Sequence, residues 1–165
     1  MVTDMGVSTS MDVQDAAVQA QLAIGLPIDQ PSLPADSLLA MWQQAVTDSG
    51  ERPAFTCLGQ TLSYAEIDQL AERIAGDFHT QLKLVAGDRL AIQLPNLLQY
   101  PIVVVAAWKL GLVIVNTNPM YTHRELVHQF NDSGAKAVVV LDQFYDILQA
   151  ALPETGIEHV VVTRA

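Results

Sequence analysis

Four short apolar runs, at 89–94, 112–116, 137–141 and 159–163, alternate with stretches of helical spacing, and this alternation constrains the fold more than any other feature of the chain. Runs such as Ala-Val-Val-Val-Leu at 137–141 are apolar on both sides of an extended strand, so neither side can face water. Helices must then cover both faces, and strands joined through helices return to the same end of the sheet and run parallel. The expected fold class is α/β: a three-layer, mostly parallel sheet with helices on both faces, preceded by a short hairpin.

Local signals place the elements. Asp36 is a candidate N-cap for a first helix carrying Leu38, Leu39, Trp42 and Val46 on one face and stopping at Ser49-Gly50. The segments 53–58 and 60–62 read as two strands around Gly59. Ser63 and Glu66 have capping-box spacing, opening a helix over 64–81 with Ile67, Leu70, Ala71, Ile74 and Phe78 inward and Glu66, Asp68, Glu72 and Arg73 on the solvated side. Asn96 is the expected cap of a helix that Gly111 ends at Leu110. Thr122 and Glu125 repeat the capping-box spacing before a helix ending at Ser133-Gly134, and a last helix is expected over 143–152.

Residues 1–35 differ from the rest. Val13, Ala16, Ala17, Ala20 and Ile24 make a weak stripe that would bury little area, and Pro27, Pro31 and Pro34 favour an extended connector. This segment is expected to be a tail ahead of one domain at 36–165. The stretch 101–115 is strongly apolar but shorter than the ~20 residues a bilayer-spanning helix needs, and Lys109 interrupts it. It is expected to be a buried helix followed by a buried strand, with no transmembrane segment.

Charge and composition exclude several functions. With half of its residues apolar the chain can offset the entropy of ordering. Its net charge of −10 and lack of a Lys/Arg cluster argue against nucleic acid as a partner. The first basic residue is Arg52, so the N-terminus lacks the positive region of a secretory or organelle signal, and a cytoplasmic location is expected. Cys57 is the single cysteine and sits in an apolar strand-like setting, where a buried, inert thiol is expected.

No residue set presents recognisable catalytic chemistry, and the catalytic, cofactor-binding and metal assignments are all none. A glycine-rich phosphate turn is absent, and the glycines stand singly at turns and helix ends. His79, His123, His128 and His159 form no metal-ligand pattern; His123 and His128 would point about 140° apart on a helix. Asp132-Ser133-Gly134 reads as a helix end, not a nucleophile. Asp68 and Glu72 are expected to be solvated. The polar segment from Asn116 to Thr122 follows the C-terminal end of a strand, where open parallel sheets bind ligands, or it is a turn whose side chains satisfy local backbone groups.

Three strings in this region carry a resemblance. Leu94-Pro-Asn-Leu-Leu-Gln-Tyr-Pro101, Val115-Asn-Thr-Asn-Pro-Met-Tyr-Thr122, and Glu125-Leu followed by His128-Gln-Phe-Asn-Asp-Ser-Gly-Ala-Lys-Ala137 closely resemble bacterial long-chain acyl-CoA synthetases, of the adenylate-forming superfamily. The likeness runs from about Leu38 to Thr163, including Arg52-Pro-Ala-Phe, Thr61-Leu-Ser-Tyr and Gly87-Asp-Arg, in the order found near that family's N-terminus. His123 and the Trp108-Lys-Leu-Gly string depart from the usual pattern, which weakens any inference about acyl-chain length.

The resemblance implies the N-terminal part of the AMP-binding domain of an enzyme that joins a fatty acid to CoA. A fatty-acid carboxylate attacks the α-phosphate of ATP, and the CoA thiol then displaces AMP from the acyl-adenylate. Long-chain fatty acid, ATP, Mg2+ and CoA are implied for the full-length enzyme, none of them for this piece. The family's phosphate loop, Thr-Glu motif, ribose-binding Asp and C-terminal-domain lysine are expected downstream of Ala165. The piece is therefore expected to be inactive alone, to expose apolar surface that favours self-association, and to allow peripheral membrane contact. Two other readings compete: a non-catalytic binding or oligomerisation module that kept the fold, and an independent nucleotide enzyme, which the missing glycine loop disfavours.

Overall fold

The computed structural model describes residues 35–165, together with Ala23 ahead of them. The tail expected over 1–35 lies, but for Ala23 and Ala35, outside the described residues.

The described unit opens with α1, Leu38–Ser49. Its cap is Ser37 and not the expected Asp36: Ser37 has the extended backbone of an N-cap, and its hydroxyl accepts the Ala40 N–H at 3.1 Å. Two antiparallel strands follow, β1 (Pro53–Cys57) and β2 (Gln60–Ser63), joined through Leu58 and Gly59 and forming a separate two-stranded sheet. α2, Tyr64–Thr80, begins with the expected capping box: the Glu66 N–H donates to Ser63 Oγ at 3.2 Å, and the Ser63 N–H donates to Glu66 Oε2 at 2.8 Å.

The main sheet has four parallel strands: β3 (Arg89–Gln93), β4 (Val113–Asn116), β5 (Ala137–Leu141) and β6 (His159–Thr163), in the order β4-β3-β5-β6. The period of two sorts their side chains between two cores. Leu90, Ile92, Ala137, Val139 and Leu141 pack with α2 and with α3 (Gln99–Leu110) on one face. Ala91, Val138 and Val140 pack on the other with α4 (His123–Ser133) and α5 (Tyr145–Ala151). Covering of both faces is why these strands are apolar throughout.

Helix ends follow local chemistry where the chain supplies it. Gly111 (φ 71°) and Gly134 (φ 63°) take the left-handed C-terminal position of α3 and α4. A Cβ on Gly111 would lie 3.1 Å from that of Ala86, so close approach adds to the backbone requirement there.

Three further expectations are corrected. Asn96 does not cap α3: a backbone turn, Leu97 N–H to Pro95 O at 2.8 Å, intervenes, and Leu98 precedes the helix without a side-chain cap. The helix expected over 143–152 is divided into a 3-10 turn (Asp142–Phe144), α5, and a second 3-10 turn (Leu152–Glu154). Pro153 cannot continue the α-helical hydrogen bonds, and the Asp142 carboxylate takes the Gln143 N–H at 2.8 Å. The helix within 101–115 is buried as expected, but β4 is an edge strand and Val113 is 48% exposed. No described helix is long and apolar enough to cross a membrane.

Candidate functional site

From β3 the chain crosses through α3 on one face to β4, and from β5 it crosses through α5 on the other face to β6. The connections after β3 and β5, which are neighbours, therefore leave in opposite directions. This is the topological switch point at which open α/β sheets bind ligands, beyond the C-terminal ends of the strands. The loop after β4 borders it.

That loop is held by bonds from three elements. Its Thr117 N–H extends the β3–β4 ladder to Ile92 O at 3.1 Å, and Thr117 is buried. The Tyr100 hydroxyl of α3 donates to Asn116 Oδ1 at 2.8 Å, Gln129 Nε2 of α4 donates to Asn116 O at 3.0 Å, and Gln93 Nε2 at the end of β3 reaches Pro119 O at 3.4 Å. Within the loop Asn118 Oδ1 accepts the Met120 N–H at 3.0 Å, and Asn118 O accepts the Tyr121 N–H at 3.1 Å. At its end Glu125 Oε2 accepts the backbone N–H and the hydroxyl of Thr122, both at 2.8 Å. These bonds, the backbone N–H first, hold the Glu125 carboxyl below its ordinary pKa.

The polar side chains at Asn116, Thr117, Asn118 and Thr122 are thus engaged in building the loop, as the structural reading of the segment anticipates. Met120, 76% exposed, is the large apolar side chain that the loop presents outward, beside the exposed Asn116, Asn118 and Thr122. Gln93, Tyr100 and Gln129, which hold it, were not foreseen: a single glutamine ending an apolar strand carries no motif, and the contacts span up to 26 residues.

The remaining candidates stay apart. His79 Nδ1 lies 3.2 Å from Leu84 O, His123 Nε2 lies 3.2 Å from both Ala150 O and Glu154 Oε1, and His159 Nε2 is 4.0 Å from Glu158; His128 is exposed. Among the described residues no group of three or more His, Cys, Asp or Glu side chains converges as metal ligands would. Cys57 is half-buried and not enclosed as expected, with its Sγ 3.5 Å from Asn96 O, because β1 belongs to the separate two-stranded sheet and has no fully buried residue. Asp68 is not simply solvated either: it accepts the Trp42 indole N–H at 2.9 Å and, with Glu72, holds the Lys109 ammonium. An apolar cleft of about 270 Å³ lies away from the loop, between α2, α3 and the β5–β6 face, lined by Ile74, Phe78, Leu82, Ile102, Val139 and Val161.

An open, doubly wound α/β sheet with a structured loop at its switch point defines a class that contains many nucleotide- and acyl-handling enzymes. Within that class the sequence match is specific: residues 42–164 match the AMP-binding enzyme family, and the chain belongs to it. It is 38% identical over 128 residues to a long-chain-fatty-acid–CoA ligase of Escherichia coli O6:H1, covering 78% of this chain and 23% of that protein. It is 40% identical over 129 residues to the enzyme of the same name from Haemophilus influenzae, with the same coverage. The crystal structure of a long-chain-fatty-acid-CoA ligase from Archaeoglobus fulgidus superimposes with a TM-score of 0.73 at 28% identity, over 83% of this chain and 29% of that one. The chain spans about a quarter of the length of these relatives.

ATP and Mg2+, which the family implies, do not fit the residues described here. The strand-to-helix turns after β3, β4 and β5 contain no glycine to let backbone N–H groups cradle phosphates. The Asp142 carboxylate beyond β5 is turned to Arg164, 3.3 Å away.

Proposed function

We propose that this chain is the N-terminal portion of a long-chain fatty acid:CoA ligase, with residues 36–165 forming the first part of the AMP-binding domain and 1–35 a tail ahead of it. The observation that carries this reading is the 38% identity over 128 residues to a ligase of that name, of which the match covers 23%. The whole enzyme would join a long-chain fatty acid to CoA at the expense of ATP, through an acyl-adenylate, releasing AMP and pyrophosphate, in the cytoplasm.

In this reading residues 36–165 supply scaffold. They hold one wall of the sheet and the Asn116–Thr122 loop, and the groups that handle ATP, Mg2+ and CoA come from the remaining three quarters of the enzyme. The isolated chain is accordingly inactive. Its uncovered apolar surface, the cleft over β5–β6 and the exposed edge residues Val113 and Val162, favours self-association. That surface is also what a non-catalytic oligomerisation module built on this fold would use.

The test is fatty-acid-dependent exchange of pyrophosphate into ATP, measured on the isolated chain and on a longer polypeptide encoded by the same gene. Exchange by the longer polypeptide alone supports the proposal. Exchange by the isolated chain would overturn its inactivity, and a gene encoding no more than this chain would favour the oligomerisation module.

A further inference from the structure

β6 is the second edge of the main sheet, and among the described residues no strand pairs with its outer side. Exposed edges are normally blunted by charge, proline or a bulge, because their free N–H and C=O groups can pair with another strand. β6 has none of these devices. His159-Val-Val-Val-Thr163 is mostly β-branched, holds no Lys, Arg, Asp, Glu or Pro, and pairs with β5 in unbroken register over its five residues. Charges stand just outside it, Glu158 before and Arg164 after, each three residues from Val161.

That spacing matches the strand to itself. When a second copy lies antiparallel with Val161 opposite Val161, Val160 meets Val162, His159 meets Thr163, and Glu158 of each copy meets Arg164 of the other. The next registers, centred on Val160 or on Val162, set Glu158 against Val162 or Arg164 against Val160 and lose both charge pairs. Both side chains are free to reach across: Glu158 is 60% exposed and Arg164 86%. Arg164 lies 3.3 Å from Asp142, but exposed pairs of this kind hold weakly, and a guanidinium has N–H donors enough for two carboxylates. Gln99 Nε2 donates to Arg164 O, which anchors the residue after the strand to α3. The β4 edge lacks the pattern: it has four residues, no opposite charges flank it at matched distances, and Gln129 already occupies its last carbonyl, Asn116 O.

We propose that a second copy of this chain occupies the β6 edge: two copies pair antiparallel about Val161 through reciprocal Glu158–Arg164 contacts, joining their sheets into one. Val161 lines the apolar cleft over β5–β6, so in this two-fold arrangement the clefts of both copies lie on the same face and meet at the seam. This contact rests on, and deepens, the self-association proposed above for the isolated chain.

Sedimentation velocity on this chain is the test. Glu158→Arg, which sets Arg against Arg, and Arg164→Glu, which sets Glu against Glu, should each raise the dimer dissociation constant roughly tenfold, since each change acts twice per dimer. The double variant that exchanges the two charges should restore it. An independent measurement is Val161→Cys in a Cys57→Ser background. Directly opposite residues lie about 4.5–5.5 Å apart at Cα, within disulfide reach, so mild oxidation should link the two copies. Self-association indifferent to both charge reversals, with no cross-link at 161, would overturn this contact and leave self-association standing. A monomer at every concentration would overturn both. Growth beyond a dimer would assign the contact to head-to-tail pairing of β4 with β6 and overturn the two-fold one.

Discussion

The Lys109 ammonium, in the last turn of α3, lies 3.0 Å from Asp68 Oδ1 on α2, and the lysine side chain is only 14% exposed. The same carboxylate oxygen accepts the Trp42 indole N–H of α1 at 2.9 Å, so one atom ties three helices together. Asp68→Ala would leave a mostly buried ammonium and an indole N–H without that partner, and a loss of about 2–3 kcal/mol is expected. Glu72 also reaches Lys109, at 2.8 Å, but its side chain is 72% exposed, and Glu72→Ala should cost under about 1 kcal/mol. Urea unfolding of the two variants checks this; equal losses would show that Asp68 is not the tie.

The same lysine predicts behaviour in alkali. Burial works to lower its pKa, but the hydrogen bonds and charges of Glu72 and Asp68 outweigh it, so the folded-state value lies above the ordinary 10.5. The stabilisation is therefore fully present below the unfolded value and is lost as pH rises through the folded one. Lys109→Met should be less stable than the parent at neutral pH, with the gap narrowing above about pH 10.5. A gap that stays constant from pH 8 to pH 11.5 would contradict the assignment.

What the chain discloses about itself is local. The boxes at Ser63–Glu66 and Thr122–Glu125, the terminating Gly111 and Gly134, and the valine runs of β5 and β6 could be read directly, because each depends on chemistry within a few residues. Ser37 displaced Asp36 as a cap because adjacent candidates differ by one position, which periodicity does not resolve. The edge position of β4 was hidden, since an apolar strand looks the same whether its cover lies within this chain or elsewhere. The loop at 116–122 stood out by composition, but Gln93, Tyr100 and Gln129 became part of it only through the sheet order, which brings residues from β3, α3 and α4 to one place.

At the N-terminal ends of the two central strands, Asp88 Oδ2 accepts the Val85 N–H at 2.9 Å and the Lys136 ammonium at 3.1 Å. The Val85 bond is the larger cause, Lys136 adds to it, and together they exceed the desolvation that opposes them, holding the carboxyl below its ordinary 3.8. A depressed carboxyl contributes stability that is present above its unfolded pKa and lost as pH falls through its folded one. Asp88→Asn should therefore flatten the acid limb of the stability profile below about pH 4. At neutral pH the loss should stay near 0.5–1 kcal/mol, because the pair remains in contact with water. Thermal unfolding between pH 2.5 and pH 7 measures both, and an unchanged acid limb would refute the role given to Asp88.

The hairpin offers a prediction of opposite sign. Leu58 and Gly59 have φ of 49° and 80°, both positive, between the paired residues Cys57 and Gln60, as a two-residue type I′ turn requires. Gly59 suits its position; Leu58 does not, since a branched side chain is strained there, and it is 79% exposed, so it recovers little by burial. Asparagine tolerates the left-handed region and favours this turn position. Leu58→Asn should therefore stabilise the chain by about 0.5–1 kcal/mol, raising Tm by about 2–3 °C. Gly59→Ala, placing a side chain at φ 80°, should destabilise it by about 1 kcal/mol. Calorimetry on the pair separates turn conformation from general surface effects: a lower Tm for Leu58→Asn would mean that the Leu58 side chain makes a contact worth more than the strain of its backbone.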